Sequence, residues 1–247
     1  MKTGGIKAYI QAKGSTTKRS YVADRQVFVD TVEISARPAI NIVDLRAGRV
    51  NMSDLIREAN REISNKKLAM VEGVLHDAID DYSSPFYGTG TGIVKATLDA
   101  QLAYFRRLGA VSIIGDQAAV GQLAPLTGMA MNAGTNTDVF TGRSAGMIDE
   151  MNANGFIGRY NGANVVSMAN SYFDGTTTPV LATDWLYIIP AGITNDMRNL
   201  KIVNEGGVNA FDSQNIDDLT YEIRLDCWFG AAFITAKIPT IGAYKIG

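Results

Sequence analysis

The sequence predicts an α+β protein, and three observations carry that reading. A stripe of apolar residues at helical spacing runs from Asn51 to Tyr82. Strict alternation of apolar and polar residues runs over eleven residues from Leu219 to Phe229. Between them, after a glycine-rich turn, shorter helix-like and strand-like segments alternate.

Taken in order, the chain begins with Ile6–Ile10 and Tyr21-Val22 flanking a polar tip, Ala12–Ser20, the pattern of a long hairpin. An isolated hairpin is marginal in water, so this one needs something to lie on. Val27–Ile34 is rich in β-branched residues and reads as a strand, which Arg37-Pro38 ends because proline cannot donate to a ladder. The helix follows, with Asn51 as N-cap and Asp54 in the first turn, where a negative charge suits the dipole. Leu55, Ile63, Val71, Leu75 and Ile79 mark its apolar stripe. At this length it spans roughly 45 Å and reads as a strut. Asp77, Asp80 and Asp81 crowd its C-terminal end, so either the helix stops early or cations from elsewhere meet them.

Ser83–Gly92 is the candidate boundary and reads as a flexible hinge. Beyond it, Ile93–Leu108 predicts a helix stopped by Gly109, Val111–Ile114 a buried strand, and Asp116 the cap of a short helix ending near Leu123. Residues 127–142 read as loop, Ser144 as the cap of a helix that Gly155 ends, and Ala163–Ala169 and Trp185–Ile189 as strands. On the long C-terminal strand Leu219, Tyr221, Ile223, Leu225, Cys227 and Phe229 share one face, with Thr220, Glu222, Arg224, Asp226 and Trp228 on the other.

Composition narrows the function. Of 247 residues 46% are hydrophobic, which argues against a disordered chain, and only 19% are charged, against roughly 25% in an average domain. A surface so poor in charge suggests burial against other chains. One cysteine, Cys227, excludes an internal disulfide framework and a Cys-based zinc site, and one histidine, His76, excludes a His-rich metal centre. No apolar run reaches the ~18 residues of a membrane-spanning helix, and the first residues lack the apolar core of a signal peptide. Expectation is therefore a soluble, intracellularly made protein with no cofactor and no membrane partner. Charge is uneven: residues 1–50 carry nine basic and four acidic side chains, net +5, and residues 51–247 carry fourteen and twenty-one, net −7. The basic arm suits nucleic acid or the acidic body of a neighbouring copy.

Catalytic motifs are weak. Gly142-Arg143-Ser144-Ala145-Gly146 matches G-x-S-x-G, the basis of an alternative reading as a serine hydrolase using Ser144. No strand precedes it and no histidine follows it, so a helix N-cap is the better account of Ser144. Gly88-Thr89-Gly90-Thr91-Gly92 fails the phosphate-loop spacing. His76 reads as a satisfied histidine, Cys227 as a small core residue, and Trp185 and Trp228 as core or interface anchors.

The order of parts and the residues of three stretches, Arg25–Ile40, Asn51–Tyr82 and Asp184–Gly247, resemble the major capsid protein of tailed bacteriophages with the Hong Kong 97-type fold. The resemblance covers nearly the whole chain. It implies an N-terminal arm and E-loop over residues 1–36, and a peripheral domain over 37–92 and 201–247 with its spine helix at 51–82. The axial domain would be 93–200. It implies a non-enzymatic head subunit that self-assembles through hexamers and pentamers into an icosahedral shell around double-stranded DNA, held without sequence specificity. The implied partners are further copies of the chain, a scaffolding protein and a portal. The implied location is the virion, after synthesis in the bacterial host cytoplasm. Lys13, Lys18, Arg19 and Arg25 would then be intersubunit contacts of the E-loop tip. Many members begin with a scaffolding segment that a protease removes. Here the strand pattern starts at once, so either scaffolding is a separate protein or the chain is already trimmed. Some members cross-link an E-loop lysine to a neighbour's asparagine; Lys13 and Lys18 lie in that region, but no partner asparagine or catalysing carboxylate is identified. The encapsulin nanocompartment shell shares this fold and is the other shell reading.

Overall fold

The helix expected from the apolar stripe forms over Met52–Ile79 (α2) in a computed structural model, which describes residues 2–3, 23–24, 28–127, 153–193, 198–215, 217–235 and 238–247. Asn51 caps it, its side chain accepting from Ser53 N at 3.0 Å. It ends at Ile79 rather than Tyr82, so Asp80 and Asp81 lie beyond the helix and only Asp77 sits in the adverse dipole. Of the stripe, Ile63 and Ile79 are buried and Leu55, Val71 and Leu75 half-buried.

Before α2 come the strands Lys2–Thr3 (β1), Ala23–Asp24 (β2), Val32–Ala36 (β3) and Ala39–Asn41 (β4) and the short helix Ile42–Arg46 (α1). After it come Tyr87–Gly90 (β5), Lys95–Phe105 (α3), Val111–Asp116 (β6), Gln117–Gly121 (α4), Arg159–Tyr160 (β7), Ala163–Met168 (β8) and Trp185–Pro190 (β9). Leu200–Asn215 (β10), Thr220–Phe233 (β11) and Gly242–Ile246 (β12) complete the order. β1 and β2 pair antiparallel, Lys2 with Asp24 and Thr3 with Ala23.

The first sheet has the order β10-β11-β3, with β4 also on β11, all antiparallel. The expected strand Val27–Ile34 is displaced: residues 28–31 are not strand, and pairing begins at Val32. Pro38 interrupts the ladder for want of an N–H, yet the register is the same on both sides, Leu225 facing Ala36 and Glu222 facing Ala39. Its carbonyl still accepts from Ile223 N at 3.1 Å. Asp226, expected on the polar face of β11, is buried, but the inward set holds from Ile223 onward, with Ile223, Leu225, Cys227 and Phe229 buried as well. The first three form a core with Ala59 and Ile63 of α2. Leu219 departs from the expectation; it is half exposed, at φ 55° in the turn before the strand.

The second sheet is mixed, with the order β5-β12-β9-β6-β8-β7. β9 is covered on both faces. Leu186 and Ile188 join Leu98, Leu102 and Phe105 of α3 and Ala119 and Val120 of α4. Trp185 and Tyr187 point the other way, onto Ile79 of α2. α2 thus spans from one sheet to the other. The base of the β10–β11 hairpin is fastened by buried Asn199, which donates to Ile234 O at 2.8 Å and accepts from Thr240 N at 2.9 Å.

The glycine run at 88–92 is not a hinge. β5 runs parallel to β12 in the second sheet. A Cβ on Gly88 would stand 2.9 Å from the Tyr244 ring and 2.9 Å from Thr97 Cγ2. Buried Tyr244 accepts from Val94 N at 2.8 Å and donates to Gly92 O at 3.1 Å. Gly88 and Gly90 serve close packing, which a composition reading mistakes for flexibility, while Gly92 supplies the left-handed turn at φ 73°.

Candidate intersubunit surface

β10 is the unusual element. It has sixteen residues, and its described pairing is all with β11. α2 packs on β11 and β3 and leaves β10 uncovered. From Ile202 to Asn215 every residue is exposed, on both faces of the strand. Ile202, Val203, Val208 and Phe211 are among the exposed large apolar residues, as is Trp228 beside them on β11. A bulge at Gly206–Val208, opposite Cys227, increases the local twist. An uncovered edge strand of this length is a template for pairing with another chain.

The hairpin is also acidic. Residues 198–235 carry Glu205, Asp212, Asp217, Asp218, Glu222 and Asp226 against Arg198, Lys201 and Arg224. Arg224 is held across the face turned away from α2, donating to Asp226 at 2.8 Å and to Glu33. These carboxylates hold its pKa above the ordinary arginine value. Arg37 pairs with Glu222 on that same face.

The route from the N-terminal region is visible here. At Gly230 an added Cβ would lie 2.5 Å from Asp30 O and 3.1 Å from Val29 Cγ1. The segment 28–31 therefore passes over the strand where no side chain stands. Thr31 donates to Glu205 Oε2 of β10 at 2.8 Å, reaching across β11. Segment 28–31, the root of the expected arm, is thus anchored on the outer face of the hairpin.

Lys13, Lys18, Arg19 and Arg25, expected at the E-loop tip, lie outside the described residues, as does Ser144. Two clefts, of about 720 and 590 Å³, lie between β3 and α2 and beside β10; neither contains His76 or Cys227. Among the described residues no His, Cys, Asp and Glu cluster is fit to hold a metal ion, and no helix is long and apolar enough to cross a membrane. Cys227 is buried, with its thiol toward Ile34 O at 3.6 Å. Trp185 is buried and Trp228 is 42% exposed, so one is a core residue and the other a surface anchor.

One polar network fixes α3 to β7. Asp99 accepts from Asn161 Nδ2 at 2.8 Å and Tyr160 OH at 3.1 Å and pairs with Lys95 at 3.1 Å. Burial pushes the Asp99 carboxyl up, but the Asn161, Lys95 and Tyr160 donors outweigh it and hold its pKa below the ordinary value.

Sequence reasoning named only the first half of β10, residues 200–207, as a closing strand, and only by resemblance. Its run NEGGVNAFDSQN has no apolar face, because neither face is buried within the subunit. The signal available was its position, one short turn before the strongly alternating β11.

A strut helix bridging two sheets and a long exposed hairpin crossed by segment 28–31 make up a fold of the Hong Kong 97 type. Structures with the same fold include the mature capsid of bacteriophage PhiM1, 14% identical with a TM-score of 0.56, covering 100% of this chain and 81% of that one. A chain from Mycobacterium phage Che8 is 12% identical with a TM-score of 0.59, covering 99% and 83%. One from the satellite phage P4 procapsid, which includes the size determination (Sid) protein, is 13% identical with a TM-score of 0.56, covering 98% and 79%. The chain belongs to the family of the "SPbeta prophage-derived putative capsid protein YonB", whose profile matches residues 1–245. No curated protein matches the sequence. It is a major capsid subunit, a structural component of a phage-like virion shell and not an enzyme.

Proposed function

We propose that the subunits assemble through hexamers and pentamers, and that each basic arm lies across the acidic β10–β11 hairpin of a neighbour. Of the expected arm over residues 1 to about 36, residues 28–36 stay on the subunit's own hairpin, and residues 1–27, with Lys13, Lys18, Arg19 and Arg25 at or near the tip, are the part that reaches the neighbour. The observation that carries this reading is β10 itself, sixteen residues long and uncovered on both faces. Charge favours the pairing: residues 1–27 carry six basic side chains and one acidic, and residues 198–235 carry three and six. Many such modest contacts sum to a rigid shell, because each new subunit binds at several places at once. Head-to-tail contacts of this kind close into rings.

In this reading α2 is the spine of a peripheral domain (37–92 and 201–247), and 93–200 forms most of the axial domain. β5 and β12, though inside those peripheral ranges, pair in the second sheet beside strands of 93–200. The shell encloses double-stranded DNA without sequence specificity, and a scaffolding protein and a portal serve assembly. The near-neutral net charge of −2 suits a wall that holds DNA without clinging to it.

Negative-stain electron microscopy beside size-exclusion light scattering tests the proposal. The wild-type chain should give rings of five and six subunits or closed shells. Lys13→Glu/Lys18→Glu/Arg19→Glu should remain a folded single subunit by circular dichroism. Intact assembly in that variant would remove the arm from the contact.

A further inference from the structure

One turn of the second sheet carries a chemistry of its own. β7 and β8 are joined by a two-residue loop, Asn161-Gly162, between the paired residues Tyr160 and Ala163. Asn161 has φ 43° and Gly162 φ 76°, the two positive values of a type I′ turn, for which Asn-Gly is a preferred pair. Both residues are exposed, while Tyr160 beside them is buried in the core. Asn-Gly is also the dipeptide in which a backbone nitrogen most easily reaches a side-chain amide, because glycine puts no Cβ in the way. The chain holds one other such pair, Asn154-Gly155.

The reaction open to such a pair is deamidation. The Gly162 nitrogen gives its proton to water and bonds to Asn161 Cγ. The Cγ–Nδ2 bond breaks, and the nitrogen leaves as ammonia with a proton from water. A second water opens the imide at either carbonyl, leaving aspartate or isoaspartate at residue 161; nothing is oxidised or reduced. Two charged groups flank the reacting atoms. The Asp99 carboxylate accepts from Asn161 Nδ2, the leaving nitrogen, at 2.8 Å. An acceptor there pushes electron density into the amide, makes Cγ a poorer electrophile and offers the leaving group no proton. Asp99 is itself fixed by the Tyr160 hydroxyl and by Lys95, each at 3.1 Å. On the other side, a Cβ on Gly162 would stand 3.0 Å from Arg106 Nη2. That guanidinium therefore lies against the glycine, where a cation favours loss of the proton from its nitrogen.

We propose that Asn161-Gly162 is a covalent modification site that Asp99 holds shut: while the carboxylate keeps the amide the turn resists deamidation, and once that hydrogen bond is lost the turn converts. Conversion does not reverse. The new carboxylate at residue 161 faces Asp99 with like charge where a hydrogen bond stood. Isoaspartate also adds a backbone carbon to the two-residue loop that sets β7 on β8. Tyr160, one residue away, carries that change into the core it shares with Leu98 and Leu102. A subunit serves for as long as its shell does, so a slow reaction at one turn sets a limit on both.

The experiment uses the full chain in its assembled form, held at mildly alkaline pH, where the attacking nitrogen gives up its proton more readily. Peptide mass spectrometry follows, at each Asn-Gly, the small mass gain of an amide becoming an acid. The same chain unfolded in guanidinium chloride gives the unprotected rate. Native wild-type Asn161 should convert many-fold more slowly than the unfolded chain. Asp99→Ala should raise the native rate severalfold while Asn154 keeps its own, and Asp99→Asn, which preserves the shape and loses the charge, should raise it less. Tyr160→Phe takes a donor from Asp99 but leaves the bond to Asn161, so it should keep the wild-type rate. Arg106→Gln added to Asp99→Ala should slow conversion again. Wild-type conversion at the unfolded rate would overturn the proposal. So would an unchanged rate in Asp99→Ala, or an acceleration that Tyr160→Phe or Asn154 shares equally.

Discussion

Replacing Gly230 with alanine tests how the arm leaves the subunit. The new Cβ would stand 2.5 Å from Asp30 O, with Val29 Cγ1 at 3.1 Å on the same side. An ordinary carbon–oxygen contact is close to an ångström longer, so either β11 or the arm root must retreat. β11 is held on both edges, by β10 and by β3, whereas residues 28–31 lie outside any ladder. The arm root therefore moves and gives up the Thr31–Glu205 hydrogen bond. That bond is worth about 0.5–1.5 kcal/mol net, and residual overpacking of a site that can relax adds up to about 1 kcal/mol. Subunit stability should fall by about 1–2 kcal/mol, a Tm loss of about 2–8 °C for a domain of this size. Assembly should suffer far more, because the root sets the direction of the whole arm. The assay is urea unfolding of the subunit together with light scattering during assembly. Thr31→Val separates the two effects: it removes the hydrogen bond without adding an atom at residue 230. Should Gly230→Ala assemble at the wild-type rate with unchanged unfolding, the crossing at residue 230 does not position the arm.

Two further outcomes follow from polar groups inside the subunit. Asn199→Ala strips partners from Ile234 O and from the Thr240 N–H and hydroxyl at the base of the hairpin. At about 0.5–1.5 kcal/mol net for each of the three hydrogen bonds lost, urea unfolding should show a loss of at least about 1.5 kcal/mol. Asp99→Asn should matter at neutral pH and not in acid. The Asp99 pKa lies below its ordinary 3.8, so its contribution is present above that value and fades as pH falls through the folded one. Unfolding curves of the variant and the wild type should converge as pH drops below 3.8, and a gap of constant size would contradict the assignment.

Elements that bury one face inside the subunit were legible in the sequence. The inward residues Ile223, Leu225, Cys227 and Phe229 follow from period 2, and the caps Asn51 and Asp116 from side-chain chemistry. Elements whose partners lie elsewhere were not. β10 has no buried face to imprint a period on its residues. Asn65 and Glu72 gave no signal, because their partners, Ser171, Ala182 and Tyr187, are more than a hundred residues away. The glycines of β5 were misread because a close approach to Tyr244 and a flexible turn ask for the same residue. Of the candidate surface, the acidic charge and the first half of the strand that displays it were visible early, and the half beyond residue 207 was not.

The uncovered strand also bears on how long a subunit survives before it finds neighbours. From Ile202 to Asn215 the free chain offers an accessible backbone with Val208 and Phe211 displayed, a substrate for proteases and a seed for aggregates. Pairing that strand away removes both hazards together. With the pairing proposed above, the lifetime of the subunit in the cell should rise with its own concentration, so that chains made too sparsely are cleared while those that arrive in bulk persist.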